Sequence, residues 1–234
     1  MNGIAHYLDQ LLFGALPYAA LLLFFVGTIY RYRAQTFSYS SLSSQFLENR
    51  QHFWALVPFH YGILVVLGGH LVAFLLPRQL MAWNGVPVRL YVLEVTALAF
   101  GLLTLVGLTA IVVRRLRDPK LRVVTSRADW VLYALLLLSV ATGLETAIFH
   151  RWGSSWFPTT MTPYLWSIVK LSPEVGLAAA MPWAVKLHLV NAWLVIGFFP
   201  FTRLVHVLVV PNMYLWRKRQ VVRWYGTKPS TANH

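Results

Sequence analysis

Five long apolar runs constrain the fold of this chain more than any other feature. They lie at about residues 11–30, 53–76, 90–113, 130–149 and 183–210. A helix needs roughly 20 apolar residues to cross the hydrocarbon core of a bilayer. The runs lack the strict alternation of barrel strands, and charged residues make up only 12% of the chain. We therefore predict an all-α integral membrane protein. A single transmembrane domain of five helices would occupy residues 1–225, with a flexible tail at 226–234.

Basic residues are distributed unevenly between the loops and predict the orientation of the bundle. The dense clusters follow the first, third and fifth runs, at 31–51, 114–127 and 217–228. Cytoplasmic loops carry the excess of Lys and Arg, so the N-terminus is expected outside and the C-terminus in the cytoplasm. No cleavable signal pattern precedes the first run, which is expected to be retained as a span. The basic residues behind the net charge of +13 are then explained by membrane orientation, attraction to lipids and docking of partner proteins. No nucleic-acid partner is expected.

Four histidines inside the spans carry the strongest indication of function. The chain has no cysteine, which excludes disulfides, thiolate metal sites and cysteine-ligated iron–sulfur clusters within it. His60 and His70 lie in the second run, and His188 and His206 lie in the fifth. Ionisable side chains at membrane depth are costly and are functional candidates by default. A single histidine could be a structural interhelical hydrogen bond, but two on each of two helices favour a shared function.

Helix geometry and topology arrange these histidines in two levels. On a continuous helix, the 18 residues from His188 to His206 make five full turns and place both on one face, about 27 Å apart. His60 and His70 would share a broad face, about 15 Å apart. Since the two runs cross in opposite directions, His70 is expected to pair with His188 near the outer face. His60 would pair with His206 near the inner face.

Two histidines that face each other from two helices suit bis-histidine ligation of haem iron. Gly68 and Gly69 would let a large flat ring approach the backbone beside His70. Arg203 could pair with a haem propionate, or it could extend its charge to the inner interface. The axial separations of the two pairs differ by about 12 Å, so helix tilt and a kink near Pro200 would have to absorb the difference.

The motifs HYGILVVLGGH and KLHLVNAWLVIGFFPFTRLVHVLVVP resemble the dihaem cytochrome b (gamma) subunit of respiratory membrane-bound nitrate reductase. LPYAALLLFFVGTIYRYR, SSLSSQFL and VRRLRDPKLRVVTSRAD also fit this family, so the resemblance covers nearly the whole chain. It implies a multi-pass anchor in the prokaryotic cell (inner) membrane with two b haems. His70 and His188 would bind the outer haem iron, and His60 and His206 the inner one.

The resemblance also implies a substrate and partners. Menaquinol or ubiquinol would be oxidised near the outer face, in a site that includes Gly69, His70 and Arg89. Family members have lysine where Arg89 stands, and arginine is a fixed cation with several donors. Electrons would pass inward to an iron–sulfur beta subunit and then to a molybdenum-containing catalytic alpha subunit. The basic loop 114–127 and the tail from Arg217 would dock these subunits.

Three other interpretations remain open from the residues alone. The chain could be a dihaem cytochrome b anchor of another quinol-linked reductase complex. It could be a transporter whose histidines bind a metal ion or relay protons, which would require the four to converge, with Glu94 and Glu145 as the acids in the spans. A purely structural anchor would leave the four histidines unexplained.

Overall fold

The computed structural model describes residues 3–34 and 50–209, and within them the chain folds into helices joined by short turns, without strands. Five helices are long and apolar enough to cross a membrane: Gly3–Ala34, Trp54–Leu75, Pro87–Arg117, Arg127–Phe149 and Trp183–Phe201. We call them the first to fifth spans. The predicted all-helical, five-span architecture is confirmed, whereas the orientation of the termini stays a prediction. The motif SSLSSQFL, the basic tail and the tail predicted at 226–234 lie outside the described residues.

Prolines and capping side chains determine where several helices begin. The second span belongs to the helix Arg50–Leu75 and is followed at once by the short helix Pro77–Asn84. Pro87 begins the third span, where its missing N–H costs nothing. The fourth span begins with a capping box, in which the Ser126 hydroxyl accepts from the Asp129 N–H and the Asp129 carboxylate accepts from the Ser126 N–H.

The spans pack in the order second, third, fourth, fifth, first. A Cβ at Gly62 would collide with Thr104, and one at Gly107 would collide with the backbone of Phe59. These two glycines therefore allow the second and third spans to approach closely. Buried Asn191 joins the fifth span to the fourth by donating to Leu135 O at 2.9 Å and to Ser139 Oγ at 2.5 Å.

Residues 150–182, which we call the connecting segment, fold over one end of the bundle. The sequence predicts a short helix over PYLWSIVKL, and the structure has a helix at Thr162–Val169. Tyr164 donates from its hydroxyl to Phe13 O at 2.8 Å, and Tyr18 donates to Ile168 O at 3.1 Å. Burial raises the pKa of Tyr164, which keeps its phenol protonated as a donor. The connecting segment therefore fastens the first span at the end of the bundle that carries His70.

The fifth span breaks before it reaches His206. Its α-helix is Trp183–Phe198, followed by the 3₁₀ turns Phe199–Phe201 and Arg203–Val205 and a last helical turn at His206–Val209. Pro200 cannot donate a backbone hydrogen bond, and Thr202 is extended with φ −113° and ψ 176°. The assumption of one continuous helix over 183–210 is therefore wrong. The estimate of five full turns between His188 and His206 fails for the same reason.

Candidate functional site

His70 and His188 face each other from the second and fifth spans. Their ring centroids are 6.4 Å apart, and the ring planes differ by 29°. A metal–imidazole nitrogen bond is about 2 Å long, so two imidazoles on opposite sides of one iron would have centroids about 6 Å apart. The observed separation fits this arrangement. A Cβ added at Gly68 or Gly69 would meet no atom within 4 Å, so the backbone beside His70 is open to a flat ring.

Hydrogen bonds determine which ring nitrogen of this pair can bind a metal. His70 Nδ1 lies 2.8 Å from Val66 O, and His188 Nδ1 lies 3.0 Å from Ser139 O and from Thr142 Oγ1. A carbonyl oxygen can only accept a hydrogen bond, so each Nδ1 carries the proton. In the neutral imidazole with its proton on Nδ1, Nε2 keeps its lone pair, as in metal-binding histidines.

At the other end of the bundle, the rings of His60 and His206 likewise direct Nδ1 at a backbone carbonyl oxygen. Nδ1 of His60 lies 2.8 Å from Leu56 O, and Nδ1 of His206 lies 2.5 Å from Arg203 O. Both rings therefore also present Nε2 as the free ligand atom. The ring contact described for His60 is with Phe59, at 5.3 Å between centroids. Although both side chains are described, no ring contact joins His60 to His206, so their pairing stays a prediction.

Arg203 has partners within the chain. Its Nη2 lies 2.9 Å from Asp129 Oδ2 and donates to Val124 O at 2.7 Å. Asp129 is only 3% exposed, so this ion pair is largely removed from solvent. The predicted contact between Arg203 and a haem propionate stays a prediction, and it would have to coexist with Asp129. Sequence reasoning missed Asp129, although the capping pattern Ser126-x-x-Asp129 marked it as the first-turn acid of the fourth span.

The residues predicted to bind quinol lie on elements at the His70 end. Arg89 is in the first turn of the third span, exposed, with its guanidinium 5.1 Å from the centroid of the Trp83 ring. Sequence reasoning did not foresee the Phe157 ring, whose centroid is 5.5 Å from that of His70. Glu94 anchors the connecting segment, because its carboxylate accepts from the N–H and hydroxyl of Ser154 at 2.8 and 2.6 Å.

The described histidines do not converge on one metal site. Within residues 3–34 and 50–209, no group of three or more His, Cys, Asp or Glu could hold a metal ion. Glu94 bonds to Ser154, and Glu145 lies 3.9 Å from His150. The convergence that a transport site would require is therefore not found in this part of the chain. Two-ligand iron sites formed by pairs of histidines are compatible with this arrangement.

Known proteins of one family match this chain over nearly its whole length. The family model described as nitrate reductase gamma subunit matches residues 9–225. The nitrate reductase gamma chain of Bacillus subtilis (strain 168) is 34% identical over 218 residues, which cover 92% of this chain and 97% of that protein. The respiratory nitrate reductase 1 gamma chain of Escherichia coli (strain K12) is 32% identical over 222 residues, covering 93% and 98%.

A longer relative is the nitrate reductase-like protein NarX of Mycobacterium tuberculosis (strain ATCC 25618 / H37Rv). It is 28% identical over 221 residues, which cover 92% of this chain but 34% of that protein. Five helices that are long and apolar enough to cross a membrane define a multi-pass membrane protein, and the matches identify its family. The chain belongs to the nitrate reductase gamma subunit family, which confirms the resemblance inferred from the sequence. It is a transmembrane member of an oxidoreductase complex.

Proposed function

We propose that this chain is the membrane cytochrome b subunit of a quinol-dependent respiratory nitrate reductase. His70 and His188 would bind one b haem, and His60 and His206 would bind a second. The observation that carries this proposal is the 6.4 Å separation of the His70 and His188 rings. It is supported by the hydrogen bonds that leave Nε2 of all four histidines as the ligand atom.

The protein's part in this function is ligation, orientation and separation from water. Bound haem supplies a one-electron carrier at each level of the bilayer. Ser139 and Thr142 orient His188 from the neighbouring fourth span. Val66 and Leu56 do the same for His70 and His60 from within the second span. The surrounding apolar helices keep the low-dielectric environment in which such contacts act strongly.

Quinol would be oxidised at the His70 end, which the positive-inside rule predicts to be the outer end. Menaquinol and ubiquinol both present hydroxyl groups on an apolar ring. Arg89 offers several donors to such oxygens, and the open backbone at Gly69 leaves room for the ring. Two protons per quinol would leave on that side, while two electrons leave inward.

Electrons would leave at the His206 end for an iron–sulfur beta subunit and then a molybdenum-containing alpha subunit. The basic loop 114–127 divides into two groups. Arg114 and Arg115 are buried, and Arg115 donates to Thr125 Oγ1 at 2.8 Å. The exposed basic residues that could dock a soluble subunit are Arg117, Lys120, Arg122 and Arg127. The tail from Arg217, the other predicted docking element, lies outside the described residues.

Haem counting in histidine variants tests the proposal. The chain would be produced with its partner subunits, and reduced-minus-oxidised spectra would be recorded together with a haem-to-protein ratio. We expect two b haems in the unmodified protein. His70→Ala and His206→Ala should each remove one haem, and the two haems should be distinguishable by potential. His6→Ala, an exposed histidine in the first span, is the matched control and should keep both.

The outcomes separate the proposal from its alternatives. A folded protein without haem contradicts it and returns the four histidines to another role. Loss of the same haem in both variants contradicts the two-level pairing. Two haems that quinol reduces, but that pass no electrons to a nitrate-reducing partner, would indicate an anchor of another quinol-linked reductase.

A further inference from the structure

The break in the fifth span leaves backbone carbonyls without helical donors. In a continuous helix, Pro200 O would accept from the Leu204 N–H. Here the Leu204 N–H donates to Thr202 Oγ1 at 3.1 Å instead. Carbonyl groups freed inside an apolar bundle need another donor, because an unsatisfied polar group at that depth costs several kcal/mol.

Arg31, near the end of the first span, supplies that donor. Its Nη1 donates to Pro200 O at 2.6 Å and to Thr202 O at 2.7 Å. Gly27 lies one turn earlier, and a Cβ there would come within 2.9 Å of Pro200 Cβ. The first span can therefore lie directly against the break. One guanidinium thus holds both sides of the irregular turn.

The same turn determines the orientation of His206. The His206 ring donates from Nδ1 to the carbonyl of Arg203, the first residue of the 3₁₀ turn that follows Thr202. The Arg203 side chain is in turn held by Asp129 of the fourth span. A shift of the Pro200–Thr202 backbone would move the Arg203 carbonyl and rotate the imidazole that it orients.

We propose that Arg31 is a positioning residue for His206: by holding the carbonyls of Pro200 and Thr202, it determines how the His206 imidazole is presented as an iron ligand. The inference rests on the proposed function, because it assigns His206 to one of two b haems. Arg31 acts through the backbone of the turn. Its side chain is adapted to this role, since the guanidinium holds its N–H donors in a fixed plane, whereas the lysine ammonium is a compact charge with rotatable donors on a flexible stem.

The test compares three variants in the assembled complex by redox titration and by the low-spin electron paramagnetic resonance signals of the two haems. Arg31→Gln removes the charge and the guanidinium. Arg31→Lys keeps the charge and removes only the guanidinium. Arg33→Gln removes an equal charge from an exposed position on the same helix and is the matched control. The haem lost in His206→Ala identifies the signal to follow.

We expect Arg31→Gln to change the oxidised-to-reduced ratio of the His206 haem about tenfold at a fixed potential, equivalent to about 59 mV for one electron. Its low-spin signal should also change. Arg31→Lys should alter the same signal with a smaller change in potential. The oxidised-to-reduced ratio of the haem assigned to His70 and His188 should stay within twofold in every variant. This haem serves as the internal measure of a folded bundle. Loss of the His206 haem alone would also support the proposal.

Three results would overturn this inference. The first is an Arg31→Gln variant in which both haems are unchanged. The second is equal alteration or equal loss of both haems in that variant. The third is the same effect in Arg33→Gln, which would indicate a general effect of charge. Failure of the proposed function is recognised separately, by an unmodified protein without haem or by a His206→Ala variant that keeps both haems.

Discussion

The two ends of the bundle orient their histidines in different ways. At the His70 end, His70 and His188 lie in regular α-helices, and the orienting groups are backbone carbonyls and Thr142 of those helices or their neighbour. At the His206 end, the fifth span is broken. His206 takes its orientation from a 3₁₀ turn that side chains of the first and fourth spans hold in place.

This difference has an energetic consequence. A regular helix satisfies its own backbone groups, so a substitution beside His188 should perturb one hydrogen bond at a time. An irregular turn depends on distant side chains, and the loss of one exposes buried polar groups to an apolar environment. We therefore expect the His206 end to be the more sensitive of the two to single polar substitutions.

Asp129→Ala should produce the largest difference in haem binding between the two ends. The substitution removes the Asp129 carboxylate that pairs with Arg203, whose side chain is only 19% exposed. It also removes half of the capping box. Breaking a largely buried pair costs about 3 kcal/mol. The haem assigned to His206 should be lost or weakly bound, while the His70 haem remains. Thermal unfolding and haem spectra would measure both.

Glu174→Ala is the control for Asp129→Ala, because Glu174 is an exposed acid on the connecting segment. It should change neither haem. Equal loss of both haems in Asp129→Ala would contradict the separation between the two ends, since it would mean that the fourth span fails as a whole.

Gly69→Ala should have an intermediate effect that appears in quinol kinetics alone. An added Cβ meets no atom within 4 Å, and alanine is favoured over glycine in a helix by about 1 kcal/mol, so folding should be unharmed. If quinol packs against this backbone, the methyl group should lower kcat/KM about tenfold, or about 1.4 kcal/mol. Steady-state quinol oxidation would measure it.

Gly176→Ala makes the same change in the short helix Val175–Ala179, where a Cβ also meets nothing within 4 Å. It should leave quinol kinetics unchanged. Unaltered kinetics in Gly69→Ala would remove Gly69 from the quinol site. Loss of a haem in that variant would assign the open backbone to the haem instead.

The sequence alone was sufficient for the spans and for the face-to-face placement of His70 and His188. Both depend on local features, namely apolar run length and the direction in which each helix crosses the membrane. A kink near Pro200 was also foreseeable from its missing N–H. The end of the α-helix at Phe198 and the extended Thr202 were not foreseeable, because proline alone does not decide between a kink and a break.

The role of Arg31 at the His206 end could not be recognised from the sequence. Arg31 lies 169 positions from Pro200, and in sequence it belongs to a basic cluster that indicates topology. Arg203 likewise has an ordinary interpretation as an interfacial cation. Only the packing order of the spans, with the first against the fifth and the fifth against the fourth, brings these charges to one turn.

Thr142→Val should have the smallest effect. It tests the expectation that the His70 end is less sensitive to single polar substitutions. The Thr142 hydroxyl donates to Leu138 O at 2.7 Å and accepts from His188 Nδ1 at 3.0 Å. Its loss leaves Ser139 O to orient the ring, and interhelical hydrogen bonds in membranes average about 0.6 kcal/mol. Both haems should stay bound. The His70 haem should become slightly easier to reduce, because its ligand loses basicity.

Thr146→Val provides the matched control one turn further along the fourth span. The Thr146 hydroxyl is buried without a hydrogen-bond partner, so its replacement by a methyl group should be neutral or stabilising. Redox titration and thermal unfolding of the Thr142→Val and Thr146→Val variants isolate the contribution of the hydrogen bond to His188 to haem potential and to stability. Loss of the His70 haem in Thr142→Val would remove the difference between the two ends, because the regular end would then depend on a single side chain as strongly as the broken end depends on Asp129.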